Sequence, residues 1–430
     1  MNILIAGAGK VGYNLAKSLS KNNDVTIVDT NIKALEKLQE TLDVMSIYGS
    51  IIEHKTFLGL DTKFDFFIAV TDNDEINLVS TLIVDSLGLS DKNIIRLTKN
   101  SYISTSNYLR KNLNINRFIF PNKLSAQAIS KLTLMPQATT IKEFSFSDFI
   151  LVSSFVKSPK TYKVSDFNSP DITIIGAQIN NDFIFLNEND YLEENSLVYI
   201  FGHKDSIQHT LQRIDTKTPK KIENILIYSA SDLGIEIANI LSDLDFNIKI
   251  LEKDEKTAKL ASEKLKENIT IINASYDDED IFINEGLQYS DIAITASLKD
   301  EENITKSLQA RQFGIKKIIT VNNNLNYYSI AHSLKLATIR GPKIATYYEI
   351  LENIDSYNLI YERFFLGASG KIFIKKILKQ NNITPPKEYT KTLIIRDEKI
   401  YILKKEFKTQ ENDIIVEFNF SGNKTWIEKA

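Results

Sequence analysis

Between Met1 and about Pro136, short apolar runs alternate with stretches whose apolar residues recur every three or four positions. NILIAG predicts a strand, and KVGYNLAKSLSK a helix with Val11, Leu15 and Leu19 on one face. DVTIVD predicts a second strand, NIKALEKLQETL an amphipathic helix, FDFFIAVT a buried strand, and EINLVSTLIVDSLG a helix closing near Gly88. KNIIRLTK and NRFIFPN predict two further strands, the last closed by Pro121. Strands alternating with helices predict a parallel sheet in a doubly wound α/β fold.

After Pro136 the pattern changes to short β-type runs, broken at Gly176, at Asn180-Asn181 and at Asn187. They predict a small β-rich domain, ending in a helix over HKDSIQHTLQRI. The polar stretch DTKTPKK, with Pro219, predicts a linker. The first pattern then restarts. Gly12 pairs with Gly234, Asp29 with Glu252, Asp65 with Asp291, Asn77 with Asn303 and Gly88 with Gly314. From about Tyr347 a second β-rich tail follows, with hairpin strands in TLIIRDEKIYILKKEF and DIIVEFNF. The expected architecture is two tandem Rossmann-like, doubly wound parallel-sheet domains, each followed by a small β-rich α+β domain. The expected boundaries are 1–136, 137–214, 222–346 and 347–430.

The main chemical signal is GAGKVG, a glycine-rich turn between the first strand and the first helix. Gly7 suits the tight turn, Gly9 lets backbone approach a pyrophosphate, and Gly12 lets the helix pack on the strand. The helix start offers free N–H groups and a positive dipole end. Asp29 closes the next strand 17 residues past Gly12, about where a carboxylate binds the adenosine ribose hydroxyls. A carboxylate there repels a 2′-phosphate, which disfavours NADPH. AVTDNDEIN follows a strand end, where ligands sit in open parallel sheets. Thr71, Asp72, Asp74 and Glu75 border the nucleotide or a neighbouring cation, or else form an N-cap with an acidic first turn. Gly49 and Ser50 either face the adenine or simply end a strand. Arg96, inside a strand, needs a partner: Asp72, Asp74 or a phosphate.

In the second copy Ser229 and Ser231 replace the first two glycines, and only Gly234 remains. A Cβ at those two positions hinders the turn and the phosphate approach, so this copy is expected to be degenerate. With no cysteine, there are no disulfides and no thiolate sites. The four histidines show no metal-ligand spacing, and there is no P-loop, no GxSxG and no HExxH. A net charge of −3 gives no nucleic-acid footprint. No apolar run approaches the roughly 18–20 residues that span a bilayer, and no secretory signal opens the chain.

GAGKVG, VTIVD and AVTDNDEIN, repeated in weakened form with a β-rich domain after each copy, resemble the TrkA family of Trk potassium-uptake systems. These are cytoplasmic proteins built from two regulator-of-K⁺-conductance (RCK) units. The resemblance implies a non-enzymatic regulator that binds NAD⁺/NADH, alternatively ATP/ADP. It implies a homo-oligomeric ring, a tetramer of tandem chains, lying peripherally on the cytoplasmic face of the inner membrane. Its partner there would be a TrkH/TrkG-like K⁺-translocating subunit. Nucleic acid is not a partner, and no metal site is expected. The candidate nucleotide-binding residues are Gly7, Gly9, Lys10, Val11, Gly12, Asp29, Gly49, Ser50, Thr71, Asp74, Glu75 and Arg96. The competing expectation is an NAD-dependent oxidoreductase with a decayed duplicate domain.

Overall fold

A computed structural model describes residues 1–427 except 59, 61, 100, 113, 145–146, 180–181, 325–326, 335, 356–359, 366–369, 386–389, 404 and 421–424. The chain divides into two compact units. One holds Met1–Ser125 with Arg340–Leu351, the other Ala126–Ile339 with Glu352–Ala430.

In the first unit the apolar runs become a six-stranded parallel sheet. Its strands are β1 (Asn2–Ala6), β2 (Asp24–Asp29), β3 (Met45–Tyr48), β4 (Phe64–Ala69), β5 (Ser90–Arg96) and β6 (Ile115–Ile119). They are ordered β3-β2-β1-β4-β5-β6, so the chain reverses direction across the sheet between β1 and β4. The helices are α1 (Lys10–Leu19), α2 (Ile32–Thr41), α3 (Asp74–Ser86) and α4 (Ser101–Asn112), and α5 (Pro121–Leu134) begins here. The strands read as near-continuous apolar runs because both faces are covered. Leu4, Val28, Phe67, Ile95 and Phe118 share the core on one face.

Two polar residues of the repeat hold this sheet together. The Asp65 carboxylate accepts a hydrogen bond from the Asn2 backbone N–H at 2.7 Å, joining the starts of β4 and β1. Asn77 is fully buried. Its Oδ1 accepts from Thr71 N (3.0 Å) and Thr71 Oγ1 (2.6 Å), and its Nδ2 donates to Thr71 O (3.0 Å) and Arg96 O (2.9 Å). One side chain thereby laces the carboxyl ends of β4 and β5.

The second unit repeats the plan. Strands Ile269–Asn273, Asn247–Glu252, Asn224–Tyr228, Ile292–Thr295, Lys317–Asn322 and Ala337–Arg340 form a sheet in the same order. Asp291 accepts from Asn224 N at 2.9 Å, and Asn303 bonds Ser297 and Val321 O as Asn77 bonds Thr71 and Arg96 O. Two five-stranded sheets, over residues 140–203 and 360–419, make up the small β-rich parts. They share one apolar core, with Phe149, Phe201, Phe365 and Phe418 in it. Lys391 pins them by donating to Ile174 O (2.7 Å) and Leu186 O (2.8 Å).

The structure adds to the sequence reading in three places and corrects it in one. α4, α5 and the helix Pro342–Asp355 are additional elements, and the last runs across the expected boundary at 346/347. Gly176 does not break a strand. It lies inside Ile172–Ile179, where a Cβ would come within 2.3 Å of Ile184 O. The turn expected at Asn180-Asn181 lies outside the described residues. Among the described residues no helix is long and apolar enough to cross a membrane.

Candidate functional site

At the carboxyl ends of β1, β2 and β4 a cleft of about 140 Å³ is lined by Gly7, Gly9, Lys10, Val11, Asp29, Val70, Thr71, Asp72 and Lys343. This is the switch point of the strand order, where open parallel sheets take ligands. Gly7 has φ +108°, the left-handed region, and turns the chain out of β1. A Cβ on Gly12 would lie 1.8 Å from Gly7 O, so this glycine is required by packing within the turn. Gly12 is buried beneath the cleft rather than lining it.

Gly9 is different. Its φ of −67° suits any residue, and no atom lies within 4 Å of where its Cβ would be. It is the N-cap of α1, and no side chain caps the first N–H groups of that helix. Those donors have no intrahelical partners and carry the positive end of the helix dipole. Opposite them, Asp29 is held by two backbone donors, Ala8 N to Oδ2 at 2.6 Å and Asn31 N to Oδ1 at 2.7 Å. Its remaining lone pairs are free to accept from hydroxyls.

The other expected residues fall outside the cleft lining. Arg96 is buried, with Nη1 2.8 Å from Asp72 Oδ1 and 3.2 Å from Thr71 O, so its partner is Asp72. The guanidinium holds the Asp72 carboxyl below its usual range. Asp74 is buried and does not border the cleft. It accepts from Thr98 N (2.8 Å), Thr98 Oγ1 (3.0 Å) and Lys99 N (2.8 Å), clamping the start of α3 to the segment after β5. Glu75 turns to Lys99 (2.5 Å) and Tyr102 Oη (3.0 Å), which lower its pKa. Gly49 receives the Thr56 side chain, whose methyl would lie 2.7 Å from a Cβ there, and Ser50 O accepts from Thr56 Oγ1. The sequence reading missed Val70 and Lys343. No local signal marks Lys343, which arrives from a helix more than 200 residues beyond Thr71.

The corresponding place in the second copy is closed by its own side chains. Ser229 takes the left-handed turn at φ +82°, a conformation an L side chain rarely adopts. Ser231 is the N-cap. Its Oγ accepts from Gly234 N at 3.1 Å and donates to Ala296 O at 2.7 Å, consuming a donor that Gly9 leaves open. Glu252 accepts from Ala230 N (2.7 Å) and Asp254 N (2.9 Å), as Asp29 does in the first copy, but it is buried. Tyr276 Oη donates to Glu252 Oε2 at 3.4 Å, and its ring meets Tyr228 edge-on at 5.8 Å. Tyr228 replaces the small Ala6 of the first copy. Lys253 lies over the Tyr276 ring at 5.1 Å and pairs with Glu302. Burial raises the pKa of both tyrosines.

Among the described residues no histidine lines the cleft; the His203 ring lies tilted against Phe149 with centroids 4.1 Å apart, and the His332 side chain lies outside the described residues. Among the described residues no group of three or more His, Asp or Glu is placed to hold a metal.

The TrkA-N domain family matches this chain twice, over residues 3–121 and 225–340, more than half its length. The chain belongs to the TrkA-N domain family. Both matched segments coincide with the two parallel sheets. A Trk system potassium uptake protein TrkA homolog from Methanosarcina mazei is 24% identical, covering 100% of this chain and 99% of that one. The crystal structure of the GsuK RCK domain superposes with a TM-score of 0.63 at 16% identity, over 98% of this chain and 92% of that one. The GsuK channel bound to NAD superposes with a TM-score of 0.62 at 16% identity, over 98% and 77%. The fold is therefore shared with these structures along nearly all of the chain.

Proposed function

We propose that this chain is a nucleotide-sensing regulatory subunit of a potassium uptake system, with NAD⁺/NADH, alternatively ATP/ADP, bound at its first TrkA-N copy. One observation carries the reading: the contrast between Gly9 and Ser231. Both are N-caps of equivalent helices, and Ser231 demonstrates that the fold accepts a side chain there. Among the described residues nothing requires glycine at position 9, and the space beside it opens onto the cleft. A phosphate approaching the N-terminal amides of α1 does require that space. Asp29 would hold the ribose hydroxyls, and Lys10 would face the phosphates. The names of the relatives and the bound NAD of one structural neighbour support the same ligand class and the potassium-uptake role.

In this reading segments 1–136 and 222–346 hold the sensing and the degenerate domain, and 137–214 and 347–430 their small partner domains, with the helix Pro342–Asp355 following the degenerate copy across the last boundary. The chain assembles as a ring, a tetramer of tandem chains, on the cytoplasmic face of a TrkH/TrkG-like membrane subunit. A ligand biases such an assembly only through differential affinity for two states. Coupling of about 1–3 kcal/mol per site, repeated around a ring, suffices to switch it. The test is calorimetric titration of the full chain with NAD⁺, NADH, ATP and ADP, beside Gly9→Ser. The reading expects binding by the native chain and its loss in Gly9→Ser at unchanged melting temperature. Equal binding by both would overturn it.

A further inference from the structure

One wall of the cleft is not supplied by the first TrkA-N copy. Lys343 stands in the first turn of the helix Pro342–Asp355, beyond residue 340, where the second matched segment ends. Three contacts seat the start of that helix on the first copy. Ser125 Oγ donates to Arg340 O at 2.9 Å, Ser18 Oγ and Tyr347 Oη share a hydrogen bond of 2.6 Å, and Arg117 pairs with Glu349 at 2.6 Å. The helix is thus fixed by anchors that do not involve Lys343.

The charges of the cleft are unevenly committed. Asp72 is paired with Arg96, and both Asp29 oxygens already accept backbone N–H groups. Lys10 and Lys343 are exposed, and neither makes a hydrogen bond or close ion pair among the described residues, although the Lys343 charge helps hold the nearby Asp72 carboxyl below its usual range. Two ammonium groups and the open amides of α1 therefore face the same small volume. Both cations and the helix N-terminus attract an anionic occupant, against the opposing charge of Asp29 and Asp72 in the same lining.

We propose that Lys343 contacts a phosphate of the nucleotide held by the first copy, so that the segment following the degenerate second copy completes the intact site of the first. The inference rests on the cleft being a nucleotide site. Lys343 then makes phosphate charge, rather than the nucleoside alone, the feature selected. It also ties occupancy of the cleft to the position of the segment Arg340–Leu351, since a bound phosphate adds a fourth anchor to the three already present.

The test is calorimetric titration of the full-length native chain and of Lys343→Gln and Lys343→Arg with NAD⁺ and ADP, at low and high salt. The proposal expects Lys343→Gln to weaken binding about tenfold at low salt, as for loss of a charge-assisted phosphate contact, with the gap narrowing at high salt. Lys343→Arg restores binding, and unliganded melting temperatures stay together because the side chain is exposed. Binding by Lys343→Gln equal to the native chain overturns the proposal and leaves the cleft reading standing. A loss that Lys343→Arg fails to restore, or that is indifferent to salt, overturns it too. Absence of binding by the native chain overturns the cleft reading itself.

Discussion

The difference between the two copies rests on a few atoms. Gly12 and Gly234 are retained because a Cβ at either would come within about 2 Å of a backbone oxygen (1.8 and 2.1 Å). Gly12→Ala should therefore cost about 3 kcal/mol, read by urea denaturation, through overpacking. Gly9→Ser should leave stability unchanged, because Ser231 already occupies that position in the same fold. Asp29 and Glu252 make the same two backbone hydrogen bonds, yet Asp29 lines a cleft while Glu252 is buried. Asp29→Ala should weaken nucleotide binding tenfold or more. Glu252→Ala should leave binding intact and cost about 2 kcal/mol of stability, by orphaning buried amides. Equal binding losses in the two variants, measured by calorimetry, would contradict the assignment of the site to the first copy. The sequence alone showed which glycines were lost. It did not show that Ser231 caps its own helix while bonding Ala296 O, nor that Tyr276 lies against Glu252, because both depend on register between distant strands.

At the scale of elements, strong patterns were legible and weak ones were not. The β1, β2 and β4 runs are continuous and apolar, and each became the strand expected. α4 is rich in serine, threonine and asparagine (SYISTSNYLRKN), so its apolar spacing is faint. α5 and the helix Pro342–Asp355 both open on proline at their first turn, a position that suits a helix start, but the sequence reading takes Pro121 as closing a strand and does not open a helix at Pro342. Lys343 was hidden for that reason: its helix was divided by the expected boundary at 346/347. The acidic loop AVTDNDEIN was legible as lying at the carboxyl end of a strand, but its atoms divide the work. Thr71 and Asp72 line the cleft, while Asp74, Glu75 and Asn77 hold α3 to the segment at and after β5. Asn77→Ala should cost about 3 kcal/mol in urea denaturation, since it leaves several buried polar groups unpaired. A change below a few tenths of a kcal/mol would contradict that role.

At the scale of the molecule, the duplicated fold is kept while the second copy's turn is filled by its own side chains, so on the proposed reading the copies divide support from sensing. The second unit carries a cost of its own in Lys317, which is fully enclosed and donates to Ala138 O, near the Lys157–Asp215 pair. Burial first, then the charge of Lys157, push its pKa down to about 7, against the opposing pull of Asp215. The unfolded chain keeps that proton up to the ordinary lysine range, so it binds more protons than the folded one between about pH 7 and pH 10. Stability contributed by this group should rise with pH through that window, and Lys317→Met should flatten the rise in denaturation curves. The central claim is that the chain holds one working nucleotide site, in the first TrkA-N copy. Calorimetric titration of the full-length chain with NAD⁺ and ADP tests it most directly. The account predicts one nucleotide bound per chain, abolished by Gly9→Ser and retained in Glu252→Ala. Two nucleotides per chain, or none, would contradict it.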